Sequence, residues 1–380
     1  MHILFVSSSY PRFKDRIKGI FVHEQALAIN EQGHQVGVLV PNYPHPSRVF
    51  DNVYSLRDST RLFMHDGIPV LNYLFFPVPF IHQPITRFLT NLALKKYVRK
   101  FGRPDIIHGH FVFYGGITGG IIKNILKIPL VLNLHSVYFF EEDASRYRKK
   151  IVGSVLEQSD KVITVSRFLA EKILKNFGKS DIEIVPNTIN TDFFDCRRMK
   201  GPDTPFTYTG IGRLNKLKNF DKLILAFSKM PDKKDIRLNI VGSGEEQESL
   251  KTLTRNLKME EHIHFLGRVR REKIREVYEK THAVVSASSL ETFGMTLIEA
   301  LSCGIPVLAT RCGGPEEIVN EKNGILVEKD DVGQISRGME KIRRNYEQYD
   351  AEQIRQECIR KFGHKAVAEK ISNLYQELIS

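Results

Sequence analysis

Two carboxylates set eight positions apart carry the first chemical suggestion in the chain. Leu290 to Ala300 reads Leu-Glu-Thr-Phe-Gly-Met-Thr-Leu-Ile-Glu-Ala, so Glu291 and Glu299 bracket a glycine and an apolar run of helical character. Upstream, residues 282–289 form a short apolar strand pattern that ends in small polar residues. A strand, a turn at Thr292 to Gly294 and a helix opening near Met295 would leave unpaired backbone N–H groups facing outward, and such a helix start attracts phosphate. Eight residues of helix span about 12 Å at ~1.5 Å each, so the two side chains could hold the ends of an extended ligand such as a nucleotide-sugar. A glycosidase pair sits closer, at about 5 to 9.5 Å. The plain alternative is a pair of solvated glutamates flanking a core helix.

Other candidates sit where strands give way to glycines. Gly210-Ile-Gly212-Arg213-Leu214 is followed by Lys218, and two cations at a glycine-rich strand end could clasp a diphosphate. Gly242-Ser-Gly244 is a second glycine turn, a weak signal alone. Gly19 opens a helix-like run and could equally be an ordinary turn glycine. His135 falls just past the strand pattern Leu130 to Leu134, which puts an imidazole at the expected cleft edge. His108 and His110 have no third ligand spaced nearby, so structural or ligand-contacting roles suit them better than metal.

The elements that would position these groups follow a repeating pattern. Strand His2 to Val6, helix Ile20 to Ile29 closed by Gly33, and strand Gln35 to Pro41 make a βαβ unit and imply a parallel sheet. Ligands on such sheets bind beyond the carboxyl ends of the strands, where Ser7 to Gly19 would lie. Further strands are expected at 104–108, 130–134, 161–166 and 182–185, with Ser166 as N-cap of a helix to Phe177. Residues 42–80 are hard to place. Residues 81–102 suggest a basic amphipathic helix with Leu89, Leu92, Ala93 and Tyr97 on one face, near Phe75, Phe76, Phe80 and Phe88. Such a helix can lie on an anionic membrane or cover a core with a solvated basic side. After a polar linker at 197–205, strands at 206–209, 238–241, 264–269 and 306–309 repeat the pattern, and charged helical sequence runs from Val332 onward.

At 380 residues the chain exceeds the ~250 to 300 that one core serves, so two domains are expected. No run of 18 apolar residues exists, and the opening Met-His-Ile-Leu-Phe-Val-Ser lacks the features of a signal peptide. The four cysteines show no ligand spacing, which suggests a reduced, cytoplasmic compartment and no zinc site. Charge is uneven: residues 1–180 hold 24 Lys and Arg against 13 Asp and Glu, and residues 181–380 hold 32 against 31. That asymmetry points to an acidic partner for the first half, such as an anionic membrane surface or an acidic glycan.

With these residues in place, the chain resembles the retaining glycosyltransferases of the GT-B fold, in particular glycosyltransferase family 4 (glycosyl transferases group 1). Glu291 to Glu299 resembles that family's E-x7-E motif, and Gly212-Arg213-Leu214 with Lys218 its GRLxxxKG segment. Phe265-Leu-Gly267, Gly313-Gly314-Pro315-Glu316, Lys18-Gly19-Ile20-Phe21-Val22, Pro104 to His108, Asn133-Leu134-His135 and Val185-Pro186-Asn187 fall in family order. The resemblance implies an α/β architecture of two Rossmann-like doubly wound domains facing across a cleft. The acceptor-side domain would be 1–196 and the nucleotide-sugar domain 197–363, with a C-terminal helix near 364–380 packing back on the first.

The resemblance also implies roles. Arg213 and Lys218 would bind the donor diphosphate, Glu299 the ribose hydroxyls and Glu291 a sugar hydroxyl. Gly212, Phe293, Gly294, Met295 and Thr296 would contact sugar and phosphate, Gly19 would approach the diphosphate, and His135 would lie near the sugar. No metal or cofactor is expected, because cations and helix dipoles can stabilise a diphosphate leaving group. The donor would be a nucleotide-sugar, UDP-linked first and GDP-mannose second, and the acceptor a glycan, lipid-linked or cell-wall polymer. Thr292, Asn219, Lys18 and Thr188 depart from the family pattern and touch the shape of the donor loops. The alternatives are a nucleotide-sugar epimerase or phosphorylase of the same fold, or a non-enzymatic glycan- or nucleic-acid-binding module; no nucleic-acid motif is recognised.

Overall fold

The computed structural model describes residues 1–11, 18–42, 60–75, 82–136, 145–196 and 205–380. These form two compact units, Met1–Thr188 with His364–Ser380, and Ile189–Gly363.

The first unit is built on eight strands: β1 (His2–Val6), β2 (Gln35–Asn42), β3 (Leu62–His65), β4 (Ile68–Leu74), β5 (Ile106–His110), β6 (Leu130–Leu134), β7 (Lys161–Thr164) and β8 (Glu183–Ile184). Their order is β3-β4-β2-β1-β5-β6-β7-β8, and every neighbouring pair is parallel except the β3–β4 hairpin. β1, β5 and β6 are buried at every position, as central parallel strands covered on both faces must be. The crossovers are α1 (Ile20–Glu31), α2 (His82–Phe101), α3 (Ile117–Leu126), α4 (Arg146–Gln158) and α5 (Arg167–Phe177). Ser166 caps α5, its hydroxyl accepting from Leu169 N–H at 3.3 Å.

Two expectations for this unit change. In α2, Thr86, Thr90, Ala93, Leu94 and Tyr97 face inward, but Leu92 is 58% exposed and joins Ile85 and Phe88 on the opposite side. Phe75 is buried against Tyr114, so it is no surface aromatic; Phe76 and Phe80 lie outside the described residues. The undecided stretch contains the β3–β4 hairpin, turned by Asp66-Gly67 with φ of 46° and 79°. Positive φ at both central residues is what a type I′ turn requires.

The second unit has a six-stranded parallel sheet: β9 (Phe206–Ile211), β10 (Ile236–Val241), β11 (Ile263–Gly267), β12 (Ala283–Ser286), β13 (Val307–Thr310) and β14 (Gly324–Val327). The order is β11-β10-β9-β12-β13-β14. Its helices are α6 (Phe220–Ser228), α7 (Gln247–Asn256), α8 (Ile274–Glu279), α9 (Met295–Ser302), α10 (Pro315–Ile318), α11 (Val332–Arg344) and α12 (Ala351–Phe362). The last helix, α13 (His364–Ile379), returns to the first unit and buries Val367, Ala368, Ile371, Leu374 and Tyr375 in the core beside β1 and α1. There His364 contacts Glu24 at 2.8 Å and Glu31 at 3.0 Å.

Residues 189–196, expected in the first domain, belong to the second. Ile189 N–H donates to Phe362 O at 2.9 Å, Phe194 is buried against Tyr278, and Arg355 donates to the carbonyls of Thr191 and Phe194. Most of the expected linker, 197–204, lies outside the described residues. The all-thiol reading of the cysteines also fails: Cys196 and Cys303, 107 positions apart, form a disulfide with Cα atoms 4.8 Å apart. Cys312 and Cys358 are buried thiols, and burial pushes their pKa values up to about 11 and about 12. No helix among the described residues is long and apolar enough to cross a membrane.

Candidate donor site and the histidine stack

In the second unit, two glycine turns pack backbone to backbone at the strand ends. A Cβ on Gly242 would sit 1.8 Å from Gly212 O, and one on Gly244 2.2 Å from Leu214 O. Side chains are therefore excluded at both positions, which gives the weak Gly242-Ser-Gly244 signal a packing role. The turn holds the Gly212–Leu214 segment through Leu214 N–H to Ser243 O at 3.1 Å. From there the chain enters a single 3₁₀ turn, Lys216–Lys218, capped by Asn215, whose side chain accepts from Lys218 N–H at 3.2 Å. Asn219 follows with φ 47°. Asparagine enters this left-handed region more readily than most residues, so the departure from glycine keeps the turn.

Lys218 is aimed at Glu291, and its ammonium pairs directly with Glu291 Oε1. Ser288 Oγ donates to the same oxygen at 3.0 Å, and Ser286 Oγ lies 3.2 Å from Ser288 Oγ. The small polar residues that end β12 therefore support the carboxylate. Glu291 itself is not helical. Its N–H donates to Cys312 O at 3.1 Å and its carbonyl accepts from Gly314 N–H at 2.8 Å, making a bridge with Gly313. Helix starts only at Met295, so the helical rise toward Glu299 is four steps, about 6 Å. The 12 Å estimate counted bridge and turn residues as helix.

Gly294 caps α9 with φ 121°, and no side chain caps this end. The first-turn amides around Met295 and Thr296 thus face outward at the positive end of the helix. Phe293 is buried edge-on against Phe362, and Gly314 lacks a side chain because a Cβ there would fall 2.4 Å from Phe293 Cα. At the other end of the motif, the Tyr278 hydroxyl donates to Glu299 Oε2 at 2.6 Å. Burial, with the Glu299 charge adding to it, raises the Tyr278 pKa well above its ordinary value and keeps it a donor. Arg213 is 71% exposed and pairs with Glu245 at 3.2 Å. The structure thus joins Lys218 to Glu291 directly and leaves Arg213 and Glu299 each on a separate partner. Glu245, Ser288 and Tyr278 were not singled out from sequence; only the serines, as small polar residues ending a strand, gave a signal.

The first unit carries Gly19 and His135. Gly19, with φ 70°, caps α1, and a Cβ there would lie 2.1 Å from Ser9 O, so the loop after β1 closes only over glycine. His135 follows β6, but it is almost buried and both ring nitrogens are engaged. Its Nδ1–H donates to Asn187 Oδ1 at 3.1 Å, which leaves Nε2 to accept from His110 Nδ1–H at 3.0 Å. His110 stacks on His135 on one side and on His108 on the other, and His108 Nδ1 meets the Tyr375 hydroxyl at 2.5 Å. Burial lowers all three imidazoles, His108 and His135 to about 3 and His110 well below its ordinary value. They are neutral at pH 7. His110 and Asn187 act on His135 in a way that spacing could not reveal, because they come from three different strand ends. The π-helical turn Phe111–Gly116, with Phe111 at φ 64°, borders the stack.

Known proteins decide the family. Residues 19–193 match the model for Glycosyltransferase Family 4, and residues 196–358 match that for Glycosyl transferases group 1. The chain belongs to glycosyltransferase family 4. It is a glycosyltransferase, built of two Rossmann-like domains of the GT-B type. An uncharacterized glycosyltransferase of Methanocaldococcus jannaschii is 26% identical over 99% of this chain and 98% of its own length. N-acetyl-alpha-D-glucosaminyl L-malate synthase of Bacillus anthracis is 23% identical over 95% of this chain and 94% of its own. Among solved structures, sucrose-phosphate synthase from Thermosynechococcus elongatus superposes with a TM-score of 0.78 at 19% identity, covering 100% of this chain and 99% of that one. Anabaena HepE in complex with UDP gives 0.77 at 19% identity, with both chains fully covered.

Proposed function

We propose that this glycosyltransferase moves a hexose or N-acetylhexosamine from a nucleotide-sugar, UDP-linked first and GDP-mannose second, with retention of anomeric configuration. The acceptor is a glycan, a lipid-linked sugar or a cell-surface polymer. The observation that carries the reading is the Lys218–Glu291 pair set beside the side-chain-free N-terminus of α9. An ammonium and a row of outward amides form a preorganised seat for a diphosphate, where negative charge grows as the glycosidic bond breaks. In the free enzyme Glu291 neutralises Lys218. When a donor binds, the phosphate takes over the ammonium, and the Glu291 oxygen held by Ser288 turns to a sugar hydroxyl. Glu299 takes the ribose hydroxyls, and Arg213 leaves its exposed pairing with Glu245 for the diphosphate.

The reaction needs no metal in this scheme, since Lys218, Arg213 and the helix dipole supply the positive charge. Glu291 is a clamp and not a nucleophile, and the leaving phosphate takes the acceptor proton on the face it vacates. His135 contributes as a neutral, orientated ring. A UDP donor is supported by HepE, whose structure holds UDP. A lipid-linked acceptor is supported by the 24%-identical phosphatidylinositol N-acetylglucosaminyltransferase subunit of Saccharomyces cerevisiae. Purified chain incubated with a panel of nucleotide-sugars and acceptors should release nucleoside diphosphate from one of them in chelator. No release from any, or release only with added divalent metal, refutes the reading.

The proposed working place is the surface of an anionic bilayer on the cytoplasmic side. Support comes from α2, where Ile85, Phe88 and Leu92 are exposed along one stripe, with Arg87, Lys95, Lys96 and Arg99 exposed around it. Apolar insertion plus cations is the pattern of an interfacial helix. Flotation with vesicles containing anionic lipid should recover wild type and lose Phe88→Asp. Equal recovery from neutral vesicles refutes the electrostatic part.

A further inference from the structure

In the first unit, three side chains on two elements converge on one point. His23 lies on α1, while His65 ends β3 and Asp66 opens the hairpin turn. Their donor atoms, one from each residue, all lie within 4.8 Å of one another. Asp66 Oδ2 is 2.8 Å from His23 Nε2 and 3.8 Å from His65 Nε2, and the two imidazoles are stacked with centroids 4.0 Å apart. We propose that His23, His65 and Asp66 form a structural site for a divalent metal of the zinc type, which clamps the β3–β4 hairpin to α1.

The donor set decides the class. Two imidazoles and one carboxylate suit zinc and its neighbours, whereas calcium and magnesium take all-oxygen sets. Ligands about 2.0–2.1 Å from a tetrahedral zinc lie roughly 3.3 Å apart, and the observed 2.8 and 3.8 Å bracket that spacing. The hairpin holds two of the ligands in place, since the type I′ turn fixes Asp66 next to the last paired residue of β3, His65 opposite Ile68. The third is held from behind: the Tyr10 hydroxyl, fully buried, meets His23 Nδ1 at 2.6 Å. A metal-bound imidazole is normally fixed through its other nitrogen in this way.

Binding requires one proton to move. Without metal, His23 Nε2–H donates to the Asp66 carboxylate and Tyr10 O–H donates to Nδ1. With metal, the proton sits on Nδ1 and is donated to the Tyr10 oxygen, so Nε2 offers its lone pair. No proton is lost from the ring. Asp66 is 63% exposed, so its carboxylate can be reached from solvent. The clamp anchors α1, whose N-cap is Gly19, yet takes no part in the proposed sugar chemistry. Its failure would leave that reading intact.

The test uses tag-free full-length chain stripped with chelator, loaded with zinc chloride at micromolar concentration and freed of excess metal. Elemental analysis should find about one zinc per chain, and cobalt loading should give the visible absorption of a tetrahedral site. His65→Ala and Asp66→Ala should each weaken retention at least tenfold with unchanged circular dichroism. Tyr10→Phe should weaken it by about 10- to 100-fold, as loss of a supporting partner does. His262→Ala should change nothing. No zinc on wild type overturns the proposal, as does zinc that stays bound in both His65→Ala and Asp66→Ala.

Discussion

The two units hold their chemical groups in opposite media. In the first, His108, His110 and His135 are neutral, stacked and buried, and they bond to Tyr375, to Asn187 and to each other. In the second, Lys218, Glu291, Arg213 and Glu245 are charged and partly open to water, and every cation holds a carboxylate. The exposed Arg213–Glu245 pair adds little stability, and in the proposed chemistry the part-buried Lys218–Glu291 pair is a charge store that a phosphate can displace. The buried stack has no such charge to trade. One arrangement can therefore trade partners, as the proposed donor chemistry requires, and the other holds a fixed orientation.

Removing the exchangeable charge tests this contrast most severely. Lys218→Ala and Glu291→Ala should each lower turnover by roughly 10²-fold or more, read as nucleoside diphosphate release. Because the two side chains touch, the double variant should lose less than the product of the single losses. Full activity in both single variants would dissolve the donor-site assignment. Next in size is Gly19→Ala. Its left-handed backbone costs about 1–2 kcal/mol for a side-chain-bearing residue, and the clash with Ser9 O adds to that. A lower denaturation midpoint together with slower turnover is expected, and a neutral result would show that the loop tolerates a Cβ.

The buried stack makes a prediction in pH. Its histidines titrate lower in the folded chain than the ordinary 6.5, so the unfolded chain takes up protons first as pH falls. Stability is complete above about 6.5 and declines from there toward pH 3. His364 works the other way. Burial alone would lower it, but Glu24 and Glu31 outweigh that and raise it. Its contribution is present below 6.5 and lost as pH rises through its folded value. Urea midpoints from pH 8 to 5 should fall on balance, because burial lowers His2, His34 and His264 as well and His364 alone among the shifted histidines of the described residues opposes them; His110→Gln should flatten the slope. Smallest of all is Arg213→Ala. With its guanidinium in water, stability should move by no more than about 0.5 kcal/mol, while KM for the donor rises; an unchanged KM would remove Arg213 from the site.

Much of the fold was legible because burial writes itself into period and run length. β1 holds the apolar run Ile3–Val6 and β6 the run Leu130–Leu132, Gly33 follows the last turn of α1, and Ser166 announces the cap of α5. The geometry proposed for the donor was partly legible too, since Gly294, Met295 and the two glutamates are close in sequence. What could not be read depends on distant partners. Cys196 finds Cys303, Ile189 finds Phe362 and His135 finds His110 and Asn187 only once the sheets exist. Leu92 was assigned to the wrong side because α2 has apolar residues on both, and only packing distinguishes them. The Asp66-Gly67 turn is different: its signal is local, but β3 before it has only four residues.

The placement of α13 has a consequence for synthesis. The first unit is completed by His364–Ser380, whereas the second is one unbroken stretch. On the ribosome, the second unit can close while the α1 face of the first still lacks the apolar side chains of α13. Val22, Ala26 and Ile29 then wait on the codons for 364–380, and a nonsense mutation near residue 364 would harm the half of the enzyme translated first.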